Sequence, residues 1–217
     1  MARPAVWRRA RGRGCGCGWG WARLQALLWA FIALPATALD VRVTNPAGQP
    51  LPGAVVFLQS PEARAAVRPT AGAEVAQAGS RFVPEVTVVT VGSAVSFPNR
   101  DTVRHHVYSF SPAKKFEIKL YVGTPAAPVV FDQPGIAVLG CNIHDQMVAW
   151  VVVVDTPWHG VADADGRVSL PQAPAGSYRL RVWHATLPVG APATDQGLRV
   201  DPSNRQPVLV RLAGAVP

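Results

Sequence analysis

Three side chains with metal-binding chemistry lie on one short stretch of the sequence. Cys141, His144 and Met147 follow one another with the spacing Cys-x2-His-x2-Met, on a short loop between two apolar runs typical of strands. A thiolate, an imidazole and a thioether are soft donors. Two imidazoles and one thiolate in a trigonal plane, with a weak axial methionine, form the type 1 or blue copper site. This stretch supplies one imidazole, so the second must come from another strand.

The second imidazole can come from His105 or His106. Both follow a polar segment and begin a run that is typical of a strand. Adjacent residues of a strand face opposite sides of the sheet, so only one of the two can point towards a metal. His159 and His184 stand alone in the C-terminal part, and we assign them no metal.

The cysteine count makes Cys141 conspicuous. The chain has three cysteines, and two of them, Cys15 and Cys17, lie in the N-terminal segment that we expect to be removed. The single remaining cysteine cannot form an internal disulfide. It is a buried inert thiol, a partner in a bond to another chain, or a metal-bound thiolate. A dinuclear copper centre would need two cysteines.

The N-terminal residues predict export. Residues 1–23 carry six arginines and no acid, residues 24–34 are almost all apolar, and Ala36-Thr37-Ala38 follows. This is the layout of a secretory signal peptide with cleavage after Ala38. The apolar run is too short for an ordinary membrane span. We therefore expect residues 1–38 to be removed, a periplasmic location and no stable membrane span after cleavage. An uncleaved anchor is the alternative.

Removal of this leader changes the charge of the protein. Taking six arginines and no acid from the formal net charge of +8 leaves +2. A nucleic-acid partner is therefore not expected, since a strongly basic surface is its usual signature. Lys114, Lys115 and Lys119 remain as a small basic cluster. They form either a solvated face or a docking site for an acidic redox partner.

The rest of the chain has the pattern of an all-β protein. Short runs rich in Val, Ile, Phe and Tyr alternate with Gly, Pro, Asn and Asp, and no long window has helical periodicity. Many short strands at this spacing predict a sandwich or barrel. The predicted strands are Val41–Thr44, Ala54–Leu58, Glu74–Gln77, Glu85–Val91, Ala94–Phe97, His105–Phe110, Val129–Phe131, Ile136–Gly140, Val148–Val154, Arg167–Leu170, Tyr178–Trp183 and Gln206–Leu212.

Residues 72–155 resemble the cupredoxins, amicyanin and plastocyanin in particular. Asn99 lies six residues before His105, as in that family, and Cys-x2-His-x2-Met is the amicyanin spacing. The resemblance implies one copper ion held by His105, Cys141, His144 and, weakly, Met147. It also implies an electron carrier without catalytic residues, not an enzyme, whose partners are redox proteins such as a cytochrome or a dehydrogenase.

In three longer phrases the same block resembles the plastocyanin-like proteins found with bacterial methylamine-utilisation genes. These phrases are Asn99…His105-His106-Val107-Tyr108-Ser109-Phe110, Phe131-Asp132…Pro134-Gly135 and Gly140-Cys141-Asn142-Ile143-His144-Asp145. The sequence departs from the common cupredoxin pattern at Arg104, His106 and Asn142-Ile143, where Pro, Asn and Thr/Ser-Pro are usual. These positions tune the metal through hydrogen bonds. The resemblance therefore leaves the reduction potential open.

The flanks resemble a different family, the carboxypeptidase-regulatory, transthyretin-like sandwich. Their phrases are Gly48-Gln49-Pro50-Leu51-Pro52-Gly53-Ala54, Asp163-Ala164-Asp165-Gly166 and Gly176-Ser177-Tyr178-Arg179-Leu180. We expect a cupredoxin Greek-key sandwich or barrel at 72–155, inserted into a small transthyretin-like β-sandwich built from residues 39–71 and 156–217. The alternative is that residues 39–60 add strands to the copper domain.

Two other functions remain open. The protein could store or deliver copper, or the transthyretin-like part could bind a partner while copper is structural. One thiolate with two imidazoles makes a closed, tight site, whereas delivery sites are usually exposed and rich in Met and His. The residue types therefore favour the electron carrier.

Overall fold

The computed structural model describes residues 38–201, 203, 204 and 206–215. The predicted leader, apart from Ala38, lies outside the described residues. This part of the chain has seventeen strands and one short helix, so the prediction of an all-β fold is confirmed. Among the described residues, no helix is long and apolar enough to cross a membrane.

In chain order, the elements are β1 (Ala38–Thr44), β2 (Val55–Gln59), α1 (Pro61–Ala66), β3 (Ala73–Glu74), β4 (Ala76–Gln77), β5 (Phe82–Val83), β6 (Val86–Thr90), β7 (Ser93–Ser96), β8 (His105–Ser111), β9 (Lys114–Tyr121), β10 (Val129–Phe131), β11 (Gly135–Gly140), β12 (Val148–Val154), β13 (His159–Val161), β14 (Arg167–Pro171), β15 (Gly176–Trp183), β16 (Gln196–Val200) and β17 (Val208–Arg211).

The flanking strands form two sheets around one core. One sheet has the order β14-β1-β17, and the other has the order β13-β2-β15-β16. Alternate residues point inwards, as the two-residue period of a strand requires. Val41 and Val43 of β1 are therefore buried, while Arg42 between them is exposed. Val56, Leu180 and Val182 of the second sheet pack in the same core, so these strands form a sandwich.

The central residues form a second set of sheets. A five-stranded sheet has the order β6-β12-β11-β8-β9, and a three-stranded sheet has the order β10-β7-β3. Apolar side chains between these sheets, among them Phe97, Phe131 and Leu139, form a separate core that includes Cys141 and Met147. Neither sheet closes into a barrel.

Strand β12 is buried on both faces. Ala149, Val151 and Val153 point into the core of the central sheets. Val152 and Val154 point the other way and pack against residues of β2 and β15, which include Trp183. The unbroken apolar run of β12 explains this position, because a strand covered on both sides has no need of polar residues.

Strand β9 is the main element that the sequence patterns missed. It pairs with β8 through the hairpin in which Ser111 lies opposite Lys114 and Phe110 lies opposite Lys115. The lysines thus belong to an edge strand of the large sheet. The predicted strand Glu74–Gln77 also differs from the structure, where it divides into β3 and β4 of different sheets.

Candidate metal centre

The candidate metal ligands come together where β8 begins and β11 ends. Strands β8 and β11 are neighbours in the large sheet, with Gly140 opposite Tyr108. This pairing brings His105, the first residue of β8, next to Cys141, which directly follows β11. The Cys141 Sγ and His105 Nδ1 atoms are 4.0 Å apart.

His144 completes a cluster of three donors. The possible ligand atoms of His105, Cys141 and His144 all lie within 4.8 Å of one another. The two imidazole ring centres are 5.0 Å apart. Because the three donors converge on one small space, a single ion could contact all of them.

The loop that carries His144 also turns Met147 back towards the core. The Met147 backbone N–H donates to the His144 carbonyl over 2.9 Å, which closes a tight turn. Met147 is 1% exposed and belongs to the same core cluster as Cys141. The loop thus places a thioether in the cluster that holds the thiol.

Burial makes this cluster unusual for polar groups. His105 is 0% exposed and Cys141 is 3% exposed. The Nδ1 atom of His144 is buried and has no hydrogen-bond partner among the described residues. A buried nitrogen without a partner is costly, and a bound cation would remove that cost. The donor set and this free nitrogen therefore fit a metal ion.

Asp101 fixes the orientation of the His105 ring. The Asp101 Oδ2 and His105 Nε2 atoms are 2.8 Å apart. An ionised carboxylate can only accept, so the ring donates from Nε2 and keeps the lone pair on Nδ1. That nitrogen faces Cys141. The second nitrogen of a metal-binding histidine typically has such a partner.

Asp101 is itself held by the backbone. Its carboxylate accepts from the N–H groups of Gly79, over 2.7 Å, and Ser80, over 3.0 Å. The hydrogen bond from Ser80 is the largest cause of a lowered Asp101 pKa, and the hydrogen bond with His105 lowers the pKa further. The carboxylate thus stays ionised at neutral pH.

Asn99, recognised in the sequence by its distance from His105, organises the loop before the site. Its side-chain amide donates to the carbonyls of Val103 and Tyr121, each over 2.8 Å. Its Oδ1 accepts from the Asp101 N–H over 2.9 Å. Asn99 therefore positions Asp101, which in turn positions His105.

His106 points to the other side of the sheet. Its Nε2 lies 3.1 Å from Glu117 Oε1, although the angle is not that of a hydrogen bond. The structure thus places His105, and not His106, beside Cys141.

His184 lies outside the cluster, with its Nε2 2.9 Å from the Pro52 carbonyl. Burial lowers the pKa of His159, which also lies outside the cluster.

Asp101 and Tyr121 were not found by sequence reasoning. The Tyr121 hydroxyl donates to the Phe97 carbonyl over 2.6 Å and accepts from the Gln77 amide. Burial raises the Tyr121 pKa to about 12, and the nearby Cys141 contributes to the rise. The only sequence signal for Asp101 was its position four residues before His105.

Comparisons with known proteins give partial similarities only. No family model matches the chain, and no curated protein matches it. A copper-containing nitrite reductase from Thermus scotoductus is 24% identical over 40% of this chain, with a TM-score of 0.36. The matching part spans 25% of that reductase.

Two smaller solved structures match over nearly their whole length. A purple cupredoxin from Nitrosopumilus maritimus is 21% identical and covers 38% of this chain and 99% of its own, with a TM-score of 0.34. A variant of amicyanin is 23% identical and covers 46% of this chain and 98% of its own, with a TM-score of 0.36. The functional assignment therefore rests on the residues of the site. They form a cluster of two imidazoles and one thiol, buried at His105 and Cys141 and partly exposed at His144, that could hold one metal ion.

Proposed function

We propose that this chain is a cupredoxin-type copper protein that carries electrons between redox partners. One observation carries the proposal: His105, Cys141 and His144 converge within 4.8 Å, with Met147 buried in the same core. This donor set is that of a type 1 copper site. When bound, one copper ion would supply a one-electron couple between Cu(II) and Cu(I).

The residues of the chain would hold and orient the donors of this site. Asp101 holds the His105 ring so that Nδ1 faces the thiol, and Asn99 holds Asp101. The neighbouring strands β8 and β11 fix the positions of His105 and Cys141. A site held this way changes little when its charge changes, which favours electron transfer. Burial of Cys141 also keeps water and oxidants from the sulfur.

The same features favour a carrier over the alternatives. A delivery site must release its ion to another protein, but of the four proposed donors only His144 is partly exposed, and the other three are at most 3% exposed. Four protein donors would also leave no open position for a substrate. We therefore propose a non-enzymatic electron carrier rather than a copper-delivery protein or an enzyme.

We also propose that residues 72–155 are inserted into the flanking sandwich. In support, each named sheet among the described residues takes its strands either from 73–154 or from the flanks. The chain segments that enter and leave the central residues lie side by side. Asp155, at the exit, accepts from Gln59 over 2.6 Å and pairs with Arg64 over 2.8 Å, and both of these residues lie before the entry. The export of the protein to the periplasm, after cleavage behind Ala38, is proposed from the sequence alone.

Colour and metal content test the proposed function. Purified protein loaded with Cu(II) should contain one copper per chain, be intensely blue and lose the colour reversibly with ascorbate. Cys141→Ser should remove the colour, because the thiolate is its source. Cys15→Ser and Cys17→Ser, made in the unprocessed chain, should leave it unchanged. A colourless wild-type protein with one bound copper would contradict the type 1 assignment and favour storage or a structural role.

A further inference from the structure

We propose that the outer surface of the β8–β9 hairpin, centred on Phe110, docks a redox protein whose own contact patch is apolar and rimmed by carboxylates. We call this surface the Phe110 face, and define it by Tyr108, Phe110, Lys115, Glu117 and Lys119. Phe110 is 74% exposed, which is unusual for a large aromatic side chain. The inference rests on the proposed function, since it names the kind of partner and the surface that the partner uses.

The Phe110 face belongs to a sheet surface that is only half covered. The outward side chains of β12, such as Val152 and Val154, are buried against the flanking sandwich. On β8, by contrast, exposure on this side increases along the strand, from His106 at 6% to Phe110 at 74%. An exposed aromatic residue next to charged groups is typical of an interface centre.

A series of side-chain and backbone contacts connects this surface with the candidate metal centre. The rings of Phe110 and Tyr108 have centres 5.2 Å apart. The Tyr108 ring lies so close to Gly140 that a Cβ atom there would be 2.6 Å from the ring. Gly140 is bonded to Cys141, the proposed thiolate ligand. Along this series of contacts, two aromatic rings and one peptide unit separate solvent from Cys141, the proposed ligand.

The charges of the face select the partner. Lys115 lies directly opposite Phe110 in the hairpin, and Lys119 lies on the same side because strand residues alternate. Within the described part of the chain, neither lysine is in an ion pair, whereas Lys114 pairs with Asp132 and Glu117 lies against His106. Glu117 lies between the two lysines on the same side of β9, so two lysines and one glutamate leave the face with a net positive charge beside an apolar centre. This charge is complementary to carboxylates around an apolar patch.

The redox step on this face needs no further reactant. With copper held by His105, Cys141 and His144, one electron would pass between the site and the docked partner by way of Tyr108 and Phe110. One protein is oxidised by one electron and the other is reduced by one. No covalent bond forms or breaks, and no proton moves.

The docking part can be tested without copper. The probe is the paramagnetic anion hexacyanochromate(III), titrated into metal-free protein while amide NMR signals are followed. We expect selective broadening at Phe110, Lys115 and Lys119, and its loss in Lys115→Glu/Lys119→Glu. Arg211→Glu, an exposed charge reversal on β17, is the control and should leave the broadening unchanged. Broadening centred on Ile143 and Val103, the exposed apolar residues near the metal loop, would overturn the proposal.

The electron-transfer part uses copper-loaded protein and hexacyanoferrate(III) in a stopped-flow experiment at low ionic strength. The double lysine variant should be oxidised on the order of tenfold more slowly, because steering of the anion is lost. Tyr108→Leu should slow electron transfer, whereas the hexacyanochromate broadening at Lys115 and Lys119 should persist because both lysines, which attract the anion, remain. Tyr108→Phe keeps the ring and should retain the wild-type rate. Phe110→Ala should also slow oxidation, because it removes the centre of the face. Leu209→Ala, at a similarly exposed residue on β17, is the control and should leave the oxidation rate unchanged.

The two proposals fail in different ways. If the wild-type protein binds copper and is blue, but its rates do not change in any Phe110-face variant, only the docking surface is wrong. If the wild-type protein never becomes blue, the proposed function is wrong and the redox role of this face is wrong with it.

Discussion

Asp101 Oδ2 lies 2.8 Å from His105 Nε2, on the side of the imidazole opposite the nitrogen that faces Cys141. The carboxylate therefore acts as a positioning group for a proposed metal ligand without reaching the metal pocket itself. Asp101 is anchored by the backbone of Gly79 and Ser80, so its position does not depend on the ligand histidine alone.

Asp101→Ala should lower the affinity for copper by about 10- to 100-fold, since the ring would lose its orienting partner. Asp101→Asn keeps an acceptor oxygen and should recover part of the affinity. Competition with a chelator of known affinity measures the effect. Asp132→Ala, which removes an exposed carboxylate paired with Lys114, is the control. Wild-type affinity in Asp101→Ala would show that the contact has no orienting role.

His105→Ala should abolish the blue absorption and strongly reduce copper binding, because the ring is part of the cluster around Cys141. His106→Ala should leave both nearly unchanged, since His106 faces Glu117 on the other side of the sheet. Absorption spectra and copper analysis of the two variants are compared side by side. Equal losses in both variants, or a larger loss in His106→Ala, would mean that the wrong histidine has been chosen.

Met147→Leu should retain one copper ion and the blue colour but have a higher reduction potential. The thioether donates electron density that stabilises the oxidised ion more than the reduced ion, and the axial ligand tunes the potential. The change conserves volume, so the cost in stability should stay below about 1.5 kcal/mol. Voltammetry of both proteins measures the potential.

Leu139→Met is the matched control, because Leu139 lies in the same core cluster as Met147. It should leave the potential unchanged. A Met147→Leu protein with the wild-type potential would show that Met147 only fills the core. Complete loss of copper would instead make it a primary ligand, as in a delivery site.

Gly140→Ala should destabilise the protein by about 1–3 kcal/mol, because the added methyl group would overlap the Tyr108 ring. The double variant Gly140→Ala/Tyr108→Leu should recover part of that loss, and the difference measures the contact. Denaturant unfolding of the metal-free proteins gives the free energies. Additive effects in the double variant would mean that the ring moves freely away from Gly140.

Much of this architecture was accessible from the sequence because it depends on periodicity. Val41 and Val43 alternate with exposed neighbours, and the apolar run 148–154 was predicted as one strand, which it forms. The loop with Cys141, His144 and Met147 could be located because its donors are close in sequence. The structure adds that His105 comes to the same place, as its distance from Asn99 had suggested.

Strand β9 and Asp101 show where such reasoning fails. Lysine has a low β-propensity, and Lys114, Lys115 and Lys119 were interpreted as a charge cluster rather than as part of a strand. Lysines are common on edge strands because their charge discourages pairing with other chains, and β9 lies at such an edge. The contact of Asp101 with His105 depends on the path of an irregular loop, and no periodic pattern predicts such a path.

The double-sided burial of β12 has a consequence for unfolding. Its inward residues belong to the core that contains Cys141, and Val152 and Val154 belong to the contact with β2 and β15. The flanking sandwich cannot melt without exposing one face of a strand on which the metal-binding half depends. Copper binding should therefore slow amide hydrogen exchange in β15, far from the ion, and chelation should restore the faster exchange. The central sheets and the flanking sandwich would then form one cooperative unit, in which copper binding to the central part stabilises the sandwich.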